Sequence, residues 1–317
     1  MAHDVLTVSG LTAETLQELF RLAARCKRGR RTGAPVLKDR VVALVFQKPS
    51  VRTRVSFEVA ARRLGGSVIY LGPEDIHLGQ REPIKDVART LSRYVEGIVV
   101  RTFTHEAVEE FAREASVPVI NGLSDLHHPC QALADLFTVQ ERFGRLKGLT
   151  IGYLGDGNNV LHSLAQGASL LGVALQVATP SRYRPDAAIW TAAQRAAKRS
   201  GARLSWCSTP GEAARGADVI YTDVWTSMGY EREQAVRRKA FRRFQINQRL
   251  VRLSAPQSVI MHCLPAHRGE EITEEVLEGP RSVVFDQAEN RLHVQQALLI
   301  TLFTPPRGAG FTRSRHS

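Results

Sequence analysis

Val41-Val-Ala-Leu-Val-Phe46 runs directly into Gln47-Lys-Pro-Ser50-Val51-Arg52-Thr53-Arg54. The first six residues are an unbroken apolar run, as expected of a strand buried on both faces. The stretch that follows contains Ser50, a good helix cap, and then a helical pattern that ends at Gly65-Gly66. A strand that feeds straight into a helix is half of a parallel crossover unit. The unit repeats. Residues 67–71 read as a second strand. Pro83 opens a helix with apolar residues at Ile84, Val87, Ala88, Leu91 and Val95, the spacing of one helical face. Residues 97–100 and 117–120 are further strands, separated by a helix over 106–115. The order implies a mostly parallel sheet covered on both faces.

The pattern restarts after Gly144-Arg145-Leu146-Lys147-Gly148. Strands are expected at 149–154, 174–178, 203–206, 219–222, 259–262 and 283–285, with helices over 160–171 and 186–200. A last helix is expected from about Ala288 to Phe303. The chain of 317 residues suits two domains. The boundary falls near residue 145, giving a first domain over 1–145, a second over 146–287 and a closing helix over 288–304. Residues 305–317, rich in Gly, Pro and Arg, read as a disordered tail. The fold class is α/β, with two doubly wound parallel-sheet domains.

Apolar residues make up 43% and charged residues 23%, ordinary for a globular chain. The formal net charge of +12 suggests anionic partners. The basic residues are scattered and not interleaved with aromatics as in single-strand binders, so no nucleic-acid partner is expected. The four cysteines, Cys26, Cys130, Cys207 and Cys263, form no CxxC pair and no ligand spacing with His, so neither a metal nor a disulfide framework is expected. With no secretory pattern and no apolar run long enough to span a bilayer, the reading is a cytoplasmic protein with no membrane partner.

In open α/β sheets ligands bind beyond the carboxyl ends of the strands. Six informative segments lie at or near such ends. The Ser50–Arg54 segment offers free N–H groups, hydroxyls and a planar guanidinium, a set that suits phosphate but equally fits a capped helix with surface arginines. His127-His128-Pro129-Cys130-Gln131-Ala132-Leu133-Ala134-Asp135 opens a helix after a loop and places a histidine and a glutamine one turn apart, where both can point at a carbonyl or amide; alone, His128 reads more readily as a satisfied loop residue. Gly155-Asp156-Gly157-Asn158-Asn159 is a truncated glycine loop. The next strand ends at Thr179-Pro180 without the acidic residue that would hold a ribose, which argues against a dinucleotide. Asp223-Val-Trp225-Thr-Ser227-Met228-Gly229, His262-Cys263-Leu264-Pro265 and Glu289-Asn290-Arg291 could each be a strand-end loop or cap.

Together, in this order, the six segments resemble the transcarbamoylase family over about residues 10–303. Ser-x-Arg-Thr-Arg and His-Pro-x-Gln are similar to the wider family. Asp-x-Trp-x-Ser-Met-Gly and His-Cys-Leu-Pro resemble its ornithine branch. The resemblance implies two domains joined by two helices, the C-terminal helix packing back on the first domain. It implies a homo-oligomer, a trimer or multiple of trimers, with active sites at subunit borders. The substrates implied are carbamoyl phosphate, bound by the first domain, and L-ornithine, bound by the second, with no cofactor.

By the same resemblance Ser50, Val51, Arg52 and Thr53 bind the phosphate. Arg101, His128, Gln131 and Arg291 complete that site, and His77 reaches in from a neighbouring subunit. Asn159, Asp223, Ser227 and Met228 hold the α-amino and α-carboxylate groups of ornithine, and Cys263 and Leu264 face its side-chain amine. Arg101, His128 and Thr53 would stabilise the oxyanion, and Cys263 with Asp223 would position the amine or relay its proton. Two positions depart from the family's common residues: Val51 replaces threonine and loses a hydroxyl, and His77 replaces glutamine. A transcarbamoylase for putrescine or aspartate, and a catalytically silent paralogue, are the competing readings. The Ser227-Met228-Gly229 loop and the retained catalytic residues favour ornithine and activity.

Overall fold

The structure is a computed structural model that describes residues 4–29, 35–79, 81–227 and 231–304. Two parallel sheets organise it. In the first, β1 (Val41–Phe46), β2 (Ser67–Leu71), β3 (Gly97–Arg101) and β4 (Val119–Leu123) lie in the order β2-β1-β3-β4. In the second, β5 (Thr150–Leu154), β6 (Ala174–Ala178), β7 (Leu204–Trp206), β8 (Val219–Thr222) and β9 (Val259–His262) lie in the order β7-β6-β5-β8-β9. Every pairing between these strands is parallel. In each sheet the chain starts at an inner strand, proceeds to one edge, then crosses to the other side. The crevices this leaves lie between β1 and β3 and between β5 and β8, at the carboxyl ends.

Two long helices join the sheets. The helix Pro129–Phe143 carries proline in its first turn and ends at Gly144 in the left-handed region (φ 71°). The helix Asn159–Leu171 lies close against it: a Cβ on Gly167 would come within 2.4 Å of Leu136 Cδ1. The last helix, Val284–Phe303, returns to the first sheet and seats Phe303 beneath Gly97, where a Cβ would meet the ring at 2.5 Å. One buried apolar cluster runs from Leu44, Phe57 and Phe20 through Leu133 and Leu136 to Tyr153, Leu164 and Leu298, so the core continues from one sheet to the other. No helix among the described residues is long and apolar enough to cross a membrane.

Three expectations need correction. Residues 283–285 are not a strand. Ser282 forms an isolated bridge with Ile260, and the last helix begins at Val284, four residues before Ala288. The apolar pair Val283-Val284 is buried at the helix entry, and a short apolar run does not separate strand from helix by pattern alone. The fourth strand lies at Val119–Leu123 and not at 117–120. Pro118 has no N–H, and its carbonyl accepts from Ile98 just ahead of the ladder. The helix opened by Pro83 stops at Leu91, where the Ser92 hydroxyl donates back to the Ala88 carbonyl. The tail 305–317 and Met228 lie outside the described residues.

Candidate active site

Ser50 caps the helix Val51–Arg63, its Oγ accepting from the Thr53 N–H at 3.3 Å and donating to Thr53 Oγ1 at 3.1 Å. The N–H groups of Val51 and Arg52, in the first turn, meet no acceptor among the described residues. Val51 itself is 78% exposed. Arg52 donates through Nη2 to the Leu264 carbonyl at 2.8 Å, tying the helix start to the end of β9. Arg291, on the last helix, donates to Thr53 Oγ1 at 2.8 Å. Arg101 ends β3 opposite Phe46 and donates to the Lys48 carbonyl at 3.1 Å. A β-bulge in β4 at this level shifts the register, so Arg101 lies opposite Leu123.

Three guanidiniums therefore converge, those of Arg101 and Arg291 being buried. None makes a salt bridge among the described residues. Nε of Arg52 and Nε of Arg291 are buried without a partner. Burial pulls Arg101 down to about 9, with Arg291 and then Arg52 adding repulsion. His128 sits at the start of Pro129–Phe143, its backbone N–H donating to Ser163 Oγ at 2.8 Å and its Nδ1 buried and unpartnered. Burial first, then Arg291, Arg101 and Arg52, holds its imidazole well below the usual range, so it is neutral. Buried charges and polar groups without partners are costly. Their concentration here marks a site prepared for an anion.

The second crevice supplies the other wall. Asn158 caps Asn159–Leu171 through Oδ1, while its Nδ2 donates to Asp223 Oδ2 at 2.7 Å. Asn159 donates to the Ser124 carbonyl at 2.6 Å. Asp223, just past β8, also accepts from the Val224 N–H at 2.7 Å and from Cys263 Sγ at 2.8 Å. Burial, then the charge of Asp223, holds the Cys263 thiol well above its ordinary range, so it keeps its proton. Leu264 takes a left-handed backbone (φ 58°), its N–H donating to His262 Nδ1 at 2.8 Å, and His262 Nε2 meets Glu271 Oε1 at 3.0 Å. Ser227 lies part-buried in the loop beyond Asp223.

Hydrogen bonds thus tie Ser50, Thr53 and Arg291 together and Arg52 to Leu264, the two sets meeting where Arg52 and Thr53 adjoin in the chain, and they tie Asp223 with Cys263 into a second cluster. Cys263 and Leu264, adjacent in sequence, join the two. Arg101 and His128 lie near the first cluster, close enough that the positive charges of Arg52 and Arg291 oppose a charge on either. Gln131 donates to Asp135 one turn along its helix. His77 stands apart, exposed on a left-handed turn (φ 39°), and no hydrogen bond among the described residues joins its side chain to the cluster.

Asn158, His262 and Asp135 fall inside the segments read from the sequence but were given no role there, and Glu271 was missed; all four act through other residues. The capping position of Asn158 before an apolar run was the one usable signal. Asp223, His262 and Cys263 bring three metal-capable atoms within 4.8 Å of one another, a grouping that spacing along the chain cannot show. Both ring nitrogens of His262, and the thiol, are already engaged in hydrogen bonds.

Residues 3–141 match the family described as aspartate/ornithine carbamoyltransferase, carbamoyl-P binding domain, and residues 147–302 match its Asp/Orn binding domain. The chain is 50% identical over 299 residues to an ornithine carbamoyltransferase of Gloeobacter violaceus, covering 94% of this chain and 95% of that one. It is 50% identical over 299 residues to a protein of Pyrococcus furiosus named ornithine carbamoyltransferase, anabolic, with the same coverage of each chain. A solved structure of ornithine carbamoyltransferase from Pyrococcus furiosus superposes with a TM-score of 0.90 at 49% identity, covering 94% of this chain and 96% of that one.

Proposed function

The chain belongs to the aspartate/ornithine carbamoyltransferase family, and from that membership we propose that it transfers the carbamoyl group of carbamoyl phosphate to the side-chain amine of L-ornithine, giving L-citrulline and phosphate. The observation that carries the reading is the group of part-buried Arg52 with buried Arg101 and Arg291, which makes no salt bridge among the described residues and has two Nε atoms unpartnered. Such a group calls for a compact, multiply charged anion with several acceptor oxygens, which carbamoyl phosphate is.

In this reading the phosphate lies at the start of Val51–Arg63, against the free N–H groups of Val51 and Arg52, Ser50 Oγ and the guanidinium of Arg52. The carbamoyl oxygen meets Arg101, Thr53 and His128, a neutral imidazole able to donate one N–H. Ornithine lies across the second crevice, with its α-amino and α-carboxylate groups on Asn159, Asp223, Ser227 and Met228. Its side-chain amine faces Cys263 and Leu264. That amine must arrive neutral although it ordinarily titrates near 10, and the surrounding guanidiniums lower its pKa. Its nitrogen attacks the carbamoyl carbon, and charge builds on the oxygen held by Arg101, Thr53 and His128. The carbon–oxygen bond to phosphate then breaks and the electron pair leaves on the phosphate. The proton shed by the nitrogen passes to Cys263 as the thiol gives its own to Asp223.

The same proposal takes the protein to act in the cytoplasm as a homotrimer or multiple of trimers. His77, exposed and unattached to its own cluster, would serve a neighbouring subunit. The Pyrococcus protein's name favours the synthetic direction. The experiment is phosphate release by the purified protein from carbamoyl phosphate, with and without ornithine. Release that depends on ornithine and disappears in Arg101→Leu supports the reading. Equal release in wild type and variant contradicts it.

A further inference from the structure

Asp135 has no place in the chemistry above, yet it is fully buried and holds three donors. Its Oδ1 accepts from Gln131 Nε2 at 2.8 Å and from Gln287 Nε2 at 2.7 Å, and its Oδ2 from the Tyr221 hydroxyl at 2.8 Å. These come from its own helix, from the last helix and from β8. Gln287 turns its other end to the His262 N–H at 2.9 Å, so the carboxylate also steadies the end of β9.

We propose that Asp135 is the positioning residue that fixes the Gln131 amide with its nitrogen turned inward, so that its oxygen is the atom presented to the amino group of the carbamoyl moiety. The proposal rests on the function given above. A glutamine amide is nearly symmetric in shape, and either end can face a ligand. A carboxylate only accepts, so the end facing Asp135 must be the nitrogen. Burial raises the Asp135 carboxyl to about 6, the three donors opposing the shift, so it is ionised at neutral pH. Gln131 Oε1 is left without a donor among the described residues. His128, Gln131 and Asp135 follow one another at three and then four positions, so they share one face of the helix. The free oxygen therefore lies on the side of the helix that bears His128.

The orientation matters for choosing the substrate. The carbamoyl group carries two N–H donors where acetyl phosphate carries a methyl of similar size. A fixed acceptor favours the first, and a fixed donor would oppose it. Sites built to bond a substrate N–H reject analogues that lack it far more strongly than apolar pockets reject a change of size.

The test compares KM for carbamoyl phosphate with the competitive Ki of acetyl phosphate in the full-length wild type, Asp135→Ala and Asp135→Asn. Alanine leaves room for water, which both donates and accepts and so releases the amide. In Asp135→Ala, KM for carbamoyl phosphate is expected to rise about 10-fold while Ki for acetyl phosphate changes less than about 2-fold. Asp135→Asn keeps an acceptor oxygen and is expected to retain the preference. Should Asp135→Ala fail to fold, Asp135→Ser, whose hydroxyl can donate or accept, replaces it with the same expectation. Both constants weakening in parallel, or a preference unchanged in the Ala or Ser protein, overturns the proposal. A wild type that makes no citrulline would instead overturn the function it rests on.

Discussion

Arg101 is 4% exposed, bonded among the described residues only to a backbone carbonyl, and repelled by two other guanidiniums. A residue held this way costs the unliganded protein stability and returns it when an anion binds. Arg101→Leu is therefore expected to lower kcat/KM for carbamoyl phosphate by about 1,000-fold, or about 4 kcal/mol, without lowering Tm. A Tm that falls with a nearly unchanged kcat/KM would assign Arg101 to the scaffold instead. Cys263 makes a different case. Its thiol is protonated and 2.8 Å from Asp223, so it can relay a proton but cannot serve as a standing thiolate. Cys263→Ala is expected to lower kcat by about 100-fold and to alter the pH–rate profile. A loss of only a few-fold with an unchanged profile would remove the relay and leave Cys263 as a contact for the amine. Arg52 and Cys263 could be picked out from their segments. Glu271 could not, and the segment that holds Asp135 does not show that its carboxylate also meets Tyr221 and Gln287, far along the chain.

The loop after β5 shows how an element positions chemistry. Asn158 closes the helix Asn159–Leu171 with one end of its amide and holds Asp223 with the other. Asn158→Ala is expected to cost about 1 kcal/mol of stability as a lost cap. It should also raise KM for ornithine several-fold more than KM for carbamoyl phosphate. Steady-state kinetics on both substrates check this, and equal changes would mean that Asp223 does not depend on the cap. Gly157 is fixed for another reason: a Cβ there would lie 2.3 Å from Pro185 N and 2.4 Å from Arg184 C, both backbone. Most elements were legible because strands buried on both faces are unbroken apolar runs. β1, β8 and β9 fall where that pattern puts them, and β2 and β6, which are only partly buried, also fall at their expected bounds. Errors came where two signals compete, as at Val283-Val284, where an apolar run enters a helix, and at Pro118, where a missing N–H delays a ladder. The region 231–251, two short helices and two 3-10 turns, carries no period long enough to read.

Across the whole molecule the two sheets are locked by shared core and by the helices Pro129–Phe143 and Val284–Phe303, so the two crevices face one site. Sequence order gave the alternation of elements and hence the sheets. It did not show that His127 would meet His105 and His162 edge to face, with ring centroids 4.6 Å and 6.4 Å apart. Burial lowers His105, His127, His128, His162 and His293, taking His127 to about 3. These groups are neutral when folded and take up protons on unfolding below about 6.5, so their contribution is present above that pH and lost as pH falls toward 3. Asp135 and Asp156, raised to about 6 and about 7 by burial, act in the opposite sense. Five groups against two leave acid destabilisation dominant, so Tm is expected to hold above about pH 7 and fall steeply between about 6 and 4.5. A flat Tm over that range would show that the histidines are hydrated. The most direct test of the account is kcat/KM for ornithine, putrescine and aspartate as acceptors, with carbamoyl phosphate saturating. The account predicts citrulline as the main product, with ornithine preferred over either rival by at least about 100-fold. A preference for putrescine or aspartate, or no product from any of the three, would contradict it.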